Sequence, residues 1–185
     1  CENLVYKAMR VKKDEQMNWK KYLLSVLLFN GIGLVFLFLL QLLQGVLPGN
    51  PQGLPGVKWD LSFNTAVSFV TNTNWQAYSG ETGLSYFSQM ICLTTQNFLS
   101  GAVGIAVLFA LVRGFTRRQC KTIGNCWADI TRITLFMLPV SFAGALALVS
   151  QGVPQTMSGS VSYIALNGEA SRLYLGPAAS QIIIK

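Results

Sequence analysis

The sequence predicts an all-α membrane protein, in which transmembrane helices flank a helix too short to cross a bilayer. Of its 185 residues, 51% are hydrophobic and only 11% are charged, whereas a typical soluble domain carries about 25% charged residues. Three long apolar runs are separated by polar or glycine-rich segments. The net charge is +7, but most of the cations fall into two clusters beside those runs. Together these observations indicate a multi-pass protein.

The first apolar run, YLLSVLLFNGIGLVFLFLLQLL, covers residues 22–43. As a helix it is about 33 Å long, which is enough for the hydrocarbon core of a bilayer. A buried helix of a soluble protein does not need this length of apolar sequence. We therefore predict a transmembrane helix here, preceded by a basic segment at residues 1–21.

The segment at residues 44–84 is predicted to leave the membrane and then dip back into it. Its first part, QGVLPGNPQGLPGVKW, is rich in proline and glycine and is typical of a loop. The run DLSFNTAVSFV, residues 60–70, predicts a short re-entrant helix that Asp60 or Ser62 would cap. The polar tetrapeptide TNTN follows directly, at residues 71–74.

Two further spanning helices are predicted, at residues 85–112 and 130–150. The first begins with many polar side chains, so we expect it to be surrounded by protein or to line water. Within it, Gly101 and Gly104 favour close contact with another helix. Residues 151–185 are rich in serine and glycine, and the sequence predicts no definite structure for them.

The positions of the charges predict the orientation in the membrane. Six of the fourteen Lys and Arg residues lie within residues 7–21, and five lie within residues 113–132. Because two helices cross between these clusters, both face the same side, which the positive-inside rule makes cytoplasmic. Residues 113–129 are then a cytoplasmic loop, and residues 44–84 and 151–185 are external. Nucleic-acid binding is the weaker interpretation of the charge, because both clusters adjoin helix ends.

The TNTN tetrapeptide predicts a site for a monovalent cation. The C-terminal end of a short helix carries a partial negative charge and exposes unpaired carbonyl groups. Backbone carbonyls there can replace the hydration shell of a cation, and the side chains can add ligands or brace the loop. No charged side chain lies between residues 60 and 81, which suits a weakly hydrated monovalent ion better than Mg²⁺ or Ca²⁺. A solvated turn is the alternative interpretation. The candidate ligands are Thr71, Asn72, Thr73 and Asn74.

The composition argues against an intramembrane enzyme. The chain has no histidine, its carboxylates are scattered, and its four cysteines form no C-x-x-C pair. These absences remove the commonest general base and the usual zinc and redox motifs. No serine or cysteine is paired with a base in a recognisable nucleophilic arrangement.

The most specific stretches of the sequence are FNTAVSFVTNTNWQAYSGETGLSYFSQM, from residue 63, and LTTQNFLSGAVGIAVLFALVRGFTR, from residue 93. Shorter stretches, QMNWKKYL, NPQGLPGVKWDLSFNTAVSF and GNCWADITRITL, extend the same pattern over most of the chain. Together they resemble the potassium-binding A subunits of the Kdp-type potassium-transporting ATPases.

The resemblance implies a potassium-channel-like repeat, with a pore helix at residues 60–70 and a selectivity filter at residues 71–76. Thr71, Asn72, Thr73 and Asn74 match the first filter strand of the family, and Gln76 matches the glutamine next to it. Subunits of this family contain four such repeats. The chain is therefore expected to be a fragment that holds the first repeat and the opening helix of the second, with the next pore loop beyond residue 185.

The resemblance also implies a function and its partners. Potassium would be the transported substrate, entering from outside through the filter and passing to a P-type ATPase subunit that hydrolyses ATP. This chain has neither the G-x-x-x-x-G-K-[ST] loop nor a D-K-T-G phosphorylation sequence, so no ATP site is expected in it. Small accessory subunits and the lipid bilayer are the other expected partners, in the plasma (inner) membrane of a bacterium or archaeon. A pore repeat of a passive potassium channel or symporter is the alternative.

Charged residues near the second basic cluster have two interpretations. Arg117, Arg118 and Lys121 could contact the ATPase subunit or anionic lipid headgroups, although a topology signal alone explains them. Asp129 and Arg132 are spaced to pair with each other on one helix.

Overall fold

The computed structural model describes residues 2–9, 15–117, 120–158, 160–166, 168 and 170–184. Within these ranges the chain is mostly helical, and three helices are long and apolar enough to cross a membrane. They are Trp19–Leu42, Ser88–Thr116 and Cys126–Ser150. The predicted class of helical membrane protein is thereby confirmed, with the addition of one antiparallel hairpin that the sequence did not predict.

The helices in chain order are α1 (Glu2–Met9), α2 (Trp19–Leu42), α3 (Trp59–Val70), the single turn α4 (Gly80–Gly83), α5 (Thr95–Thr116), α6 (Cys126–Ser150) and α7 (Ala178–Ile184). A π-helix, Ser88–Thr94, leads directly into α5. Strands β1 (Ser160–Ile164) and β2 (Ala170–Tyr174) form the hairpin between α6 and α7, with Ser160 opposite Tyr174.

Two asparagines determine where α2 and α6 begin. The side-chain oxygen of Asn18 accepts a hydrogen bond from the backbone N–H of Lys21 at 2.9 Å. The Asn125 side chain accepts bonds from the N–H groups of Trp127 and Ala128. These bonds satisfy N–H groups that otherwise have no partner at a helix start. As a result α2 begins at residue 19 rather than 22, and α6 at residue 126 rather than 130.

The second spanning helix is irregular at its start. It runs from residue 88 to 116 rather than from 85 to 112, and its first seven residues are π-helical. The hydroxyl of Thr94 donates to the carbonyl of Gln89, five residues earlier, at 2.9 Å. π-Helical turns such as Ser88–Thr94 are rare and are frequently found at functional sites.

Helix α2 joins two hydrophobic clusters. Near its beginning it packs against α5 and α6, in a cluster whose buried members are Met17, Tyr22, Ala102, Val103, Ala106, Ala110, Cys126, Ile130 and Ile133. Near its end it packs against α3 and the π-helix, in a second cluster of Leu37, Ala66, Phe69, Val70, Leu84, Cys92 and Leu93. Helix α3 therefore lies beside the C-terminal half of α2, away from the basic residues at the start of α2.

Gly33 of α2 lies directly against a side chain of the second spanning helix. A methyl group added to Gly33 would lie 2.7 Å from Oε1 of Gln96, so the Gln96 side chain of α5 occupies the space that glycine leaves on α2. The same addition at Gly104 would meet nothing within 4 Å among the described residues, and at Gly101 only the end of Met137 at 3.9 Å. The prediction that Gly104 permits close packing is therefore wrong.

The C-terminal segment folds back onto the helices. The hydroxyl of Tyr86 lies 2.7 Å from the carbonyl oxygens of both Ser158 and Leu175. Helix α7 packs on α6, where Ile183 fills the space beside Gly144. These contacts bring α7 next to the π-helix and the loop that follows α3.

Candidate functional site

Helix α3 ends where the TNTN tetrapeptide begins, and two left-handed residues form the ending. Thr71 has φ −82° and ψ 3°, while Asn72 and Asn74 have φ values of 57° and 55°. A residue in this conformation cannot continue a right-handed helix, and asparagine adopts it more readily than most residues. The asparagines therefore turn the chain out of α3 into what we term the 71–74 loop, comprising Thr71, Asn72, Thr73 and Asn74.

The backbone N–H groups of the 71–74 loop all point back at the end of α3. Those of Thr73 and Asn74 donate to the carbonyl of Ser68 at 3.0 and 3.3 Å. The N–H of Thr71 donates to the Val67 carbonyl at 3.0 Å, and that of Asn72 donates to the Phe69 carbonyl at 3.4 Å. The loop thus satisfies carbonyl groups that a helix end leaves without partners.

This pairing corrects one expectation. The last carbonyls of α3 were expected to be unpaired, but those of Val67, Ser68 and Phe69 accept bonds from the loop. The backbone carbonyls of residues 71–74, in contrast, accept no hydrogen bond from any residue that the structure describes. The carbonyl of Val70, the last residue of α3, likewise accepts none from these residues, so the oxygens available to a ligand are those of residues 70–74 and not those of the preceding turn.

Most side chains of the loop brace its backbone. The hydroxyl of Thr71 donates to the Val67 carbonyl at 2.9 Å and lies 2.9 Å from the hydroxyl of Thr73. The hydroxyl of Ser68 donates to the carbonyl of Trp75 at 2.8 Å. Asn74 differs, because its side-chain Oδ1 is buried and has no hydrogen-bond partner in the described part of the chain.

One bond ties the loop to the second spanning helix. The hydroxyl of Ser100 lies 3.2 Å from Oδ1 of Asn72. Ser100 is only 4% exposed and is the thirteenth residue of a helix that spans Ser88–Thr116, 29 residues in all. At 1.5 Å per residue it lies about 18 Å along that helix, close to its middle. The loop therefore contacts this helix near its middle and not at its end.

Gln76 lies beyond the loop, on an exposed stretch of chain. Its Nε2 donates to the hydroxyl of Tyr78 at 3.3 Å, and burial raises the pKa of Tyr78, so this phenol stays neutral. Gln76 also borders a cavity of about 310 Å³ between the end of α3, the π-helix and α7. Other amides on its wall are Gln89, Asn97 and Gln181.

The surroundings of the loop carry no formal charge over the sequence from residue 61 to 80. Asp60 lies at the far end of α3 and does not cap it, since the capping position is Lys58 and no side chain bonds there. The Asp60 carboxylate accepts from the N–H of Leu61 instead, and the Ser62 hydroxyl donates to the Val57 carbonyl. The prediction of a cap at Asp60 or Ser62 is therefore wrong. Within this uncharged stretch the partial negative charges nearest the loop are those of the C-terminal end of α3 and of the loop carbonyls.

The predicted contact residues of the second basic cluster lie away from the loop. Arg117 follows the last residue of α5 and is exposed, as is Lys121. Arg118 lies outside the described residues. Both exposed cations are at the end of the spanning helices where α2 begins, because the Met17 N–H donates to the Gly124 carbonyl there at 2.8 Å.

The predicted pair between Asp129 and Arg132 does not form. The Asp129 carboxylate binds Arg113 of α5, and the Nε of Arg132 binds the Glu2 carboxylate at 2.6 Å. Spacing on one helix favoured the local pair, but Asp129 is buried against α5, where a bidentate guanidinium partner is available.

Ser100 is the site residue that sequence reasoning missed. It lies 28 positions from Asn72 in the sequence, so no local pattern joins the two. The polar side chains Gln96, Asn97 and Ser100 are buried on one face of α5. Their spacing of three and four residues is the signal that could have indicated a polar contact.

Comparison with known proteins places the chain in one family. Residues 1–185 match the family model described as "Potassium-transporting ATPase A subunit". Similar proteins are named "Potassium-transporting ATPase potassium-binding subunit". The one from Clostridium botulinum (strain Eklund 17B / Type B) is 56% identical over 195 residues, covering 100% of this chain and 34% of that protein. Those from Enterobacter sp. (strain 638) and Pseudomonas aeruginosa are 55% and 56% identical over 185 residues, each covering 100% of this chain and 33% of the relative. The chain spans about a third of the length of these curated relatives.

Proposed function

Because this chain belongs to the family of potassium-transporting ATPase A subunits, we propose that it forms the first pore repeat of a potassium-binding subunit in an ATP-driven uptake pump. In this proposal α3 is the pore helix and the 71–74 loop is one strand of the selectivity filter. The subunit selects potassium and passes it to a partner P-type ATPase subunit. ATP hydrolysis belongs to that partner and not to this chain.

The observation that carries the proposal is the division of hydrogen bonds in the 71–74 loop. Its N–H groups are bound to the end of α3, and its carbonyls have no partner among the described residues. Unpaired carbonyl dipoles can replace the water around a weakly hydrated cation. The N–H groups, being occupied, hold the carbonyls in place without competing for the ion.

The charge and the depth of the loop support the same function. No charged side chain lies between residues 61 and 80. The loop therefore lacks the carboxylate ligands that divalent cations favour. The contact between Asn72 and Ser100 lies near the middle of a spanning helix. A carbonyl site at that depth is suited to an ion that crosses the membrane and not to one that binds at its surface.

We also propose an orientation. The first basic cluster precedes α2 and the second follows α5, and Met17 and Gly124 pair at the end where they meet. The positive-inside rule assigns this end to the cytoplasm, which puts α3 and the cavity beside Gln76 on the external side of a bacterial plasma (inner) membrane. Arg117, Arg118 and Lys121 are then available at the cytoplasmic end to the ATPase subunit, to accessory subunits or to anionic lipid headgroups.

The experiment that tests the pump function measures potassium accumulation. Cells lacking other potassium uptake systems would express the complete complex that contains this sequence, with or without the partner ATPase subunit. Uptake against the concentration gradient is expected with the partner and should stop when ATP is depleted. A flux that persists without ATP and only follows the gradient would contradict the proposal and favour a passive channel or symporter.

A further inference from the structure

We propose that Ser100 of α5 is a positioning residue for the 71–74 loop. Its hydroxyl holds the Asn72 side chain and thereby fixes the backbone carbonyls on either side of Asn72. This inference rests on the proposed function, because it assigns a role in ion selection to a residue that does not touch the ion.

The geometry of the contact is specific. Ser100 Oγ lies 3.2 Å from Asn72 Oδ1 and 3.0 Å from the carbonyl oxygen of Asn97, one turn earlier on its own helix. Both oxygens are acceptors, so the single hydroxyl proton of Ser100 is shared between them. Ser100 is 4% exposed, whereas Asn72 is exposed. The rigid partner is therefore the serine, which is fixed in a long helix, and the asparagine of the loop is the group that it holds.

Asn72 needs such a partner because of its backbone conformation. At φ 57° it occupies the left-handed region, which is unfavourable for a residue with a Cβ. The φ angle of Asn72 sets the direction of the Thr71 carbonyl, and its ψ angle sets the direction of its own carbonyl. Without this side-chain contact, the N–H bonds of the loop, of which that of Asn72 is the longest at 3.4 Å, would be left to restrain these angles, and the two carbonyls would be less firmly directed.

Ion selection depends on the direction and flexibility of the coordinating carbonyls. Two of the four loop carbonyls adjoin Asn72, so a loop that relaxes there would bind potassium less tightly and reject sodium less well. The side chains of Thr71 and Thr73 cannot replace the bond, because they contact each other and the end of α3.

The test uses the complete pump with a set of matched variants. Ser100→Ala removes the hydroxyl, Ser100→Thr keeps one, and Asn72→Gly supplies a residue that adopts φ 57° without a brace. Ser150→Ala is the control, since within the described part of the chain its hydroxyl bonds only inside its own helix, to the Ala147 carbonyl. Gln76→Arg reports separately on the loop as an ion site. Apparent potassium affinity, discrimination against sodium and the melting temperature of the assembled complex would be measured for each.

We expect Ser100→Ala to lower potassium affinity about fivefold, which is the order of one neutral hydrogen bond, and to weaken the rejection of sodium. Ser100→Thr should recover most of the potassium affinity and most of the discrimination against sodium. Ser150→Ala should have the parental values of both. In the Asn72→Gly background, Ser100→Ala should have no further effect, because the bond is already absent. If Ser100→Ala does not assemble, Asn72→Ala removes the same bond from the exposed loop and should give at least the same loss.

Two results would overturn the inference. One is parental affinity and selectivity in Ser100→Ala, or in Asn72→Ala where that variant replaces it. The other is an equal loss from Ser100→Ala with and without Asn72→Gly, which would mean that the serine acts through the helix alone. In either case a reduced affinity in Gln76→Arg would leave the proposed ion site intact. If Gln76→Arg also matches the parent, the proposed function of the loop fails as well.

Discussion

Arg113 on α5 and Asp129 on α6 form a bidentate ion pair, with Nη1 2.5 Å from Oδ2 and Nη2 2.8 Å from Oδ1. Asp129 is only 5% exposed, and the hydroxyl of Tyr22 on α2 lies 3.1 Å from its Oδ2. Three spanning helices therefore meet at one carboxylate, at the end of the bundle that carries both basic clusters.

The first prediction concerns this carboxylate. Asp129→Asn would leave the Arg113 guanidinium without its charged partner, at a cost of about 1–3 kcal/mol for hydrogen bonds to a charged group. The melting temperature of the purified complex in detergent should fall by several degrees. Arg132→Gln is the matched control, because its bond to Glu2 joins two half-exposed side chains, and such pairs contribute about 0–1 kcal/mol. An equal or larger fall in melting temperature for Arg132→Gln would contradict the claim that Asp129 stabilises the contact between the three spanning helices.

A second prediction concerns the space beside Gly33. Gly33→Ala would force the amide end of the Gln96 side chain to move, since a methyl group there lies 2.7 Å from its Oε1, and this cost offsets the gain of about 1 kcal/mol that alanine brings to a helix, so its melting temperature should be lower than that of Gly31→Ala. Gly31→Ala, on the same helix, meets nothing within 4 Å among the described residues and should be neutral or slightly stabilising. Thermal unfolding of both variants would decide the matter, and equal melting temperatures would refute the packing described here.

The proposed orientation gives a third prediction, on cysteine labelling. A cysteine replacing Lys58 should react with a membrane-impermeant maleimide on intact cells, and Cys120, which is exposed, should react only after the membrane is opened. Cys92 and Cys126 are buried and should remain unmodified in both conditions. Peptide mapping by mass spectrometry identifies the modified residue without further mutations. Labelling of Cys120 on intact cells would show that the orientation is the opposite of the one proposed.

The spanning helices could be predicted from the sequence because apolar length alone determines what can cross a bilayer. The ends of these helices could not be predicted, because the capping bonds of Asn18 and Asn125 start α2 and α6 before the apolar runs begin. Polar residues therefore lie in the first turns of both helices. The π-helical start of the second span was also beyond prediction, since periodicity cannot distinguish one wider turn inside an otherwise regular helix.

The candidate site was predictable in part. The tetrapeptide at residues 71–74 stands out because four amide and hydroxyl side chains interrupt an apolar sequence. Which oxygens remain unpaired depends on the left-handed angles of Asn72 and Asn74, and these follow from how the chain leaves α3. The bond to Ser100 depends on the packing of α3 against α5; the spacing of the polar residues on α5 indicates a polar face, but it does not indicate which loop residue that face contacts. The same limit explains Asp129, whose partner lies on another helix.

The measurement that tests the central claim most directly is the potassium dependence of uptake by Gln76→Arg. A positive charge about 6 Å from the ion, at an effective dielectric constant of about 20, raises the free energy of binding by about 3 kcal/mol, which corresponds to roughly a 100-fold loss of affinity. Because Gln76 is exposed, solvent screens part of this effect, and a loss of about tenfold or more is expected. Gln52→Arg, in the exposed outer loop, adds the same charge away from the 71–74 loop and should keep the parental affinity. Equal potassium affinities in the two variants, with normal assembly of both, would contradict the claim that the 71–74 loop binds the transported ion.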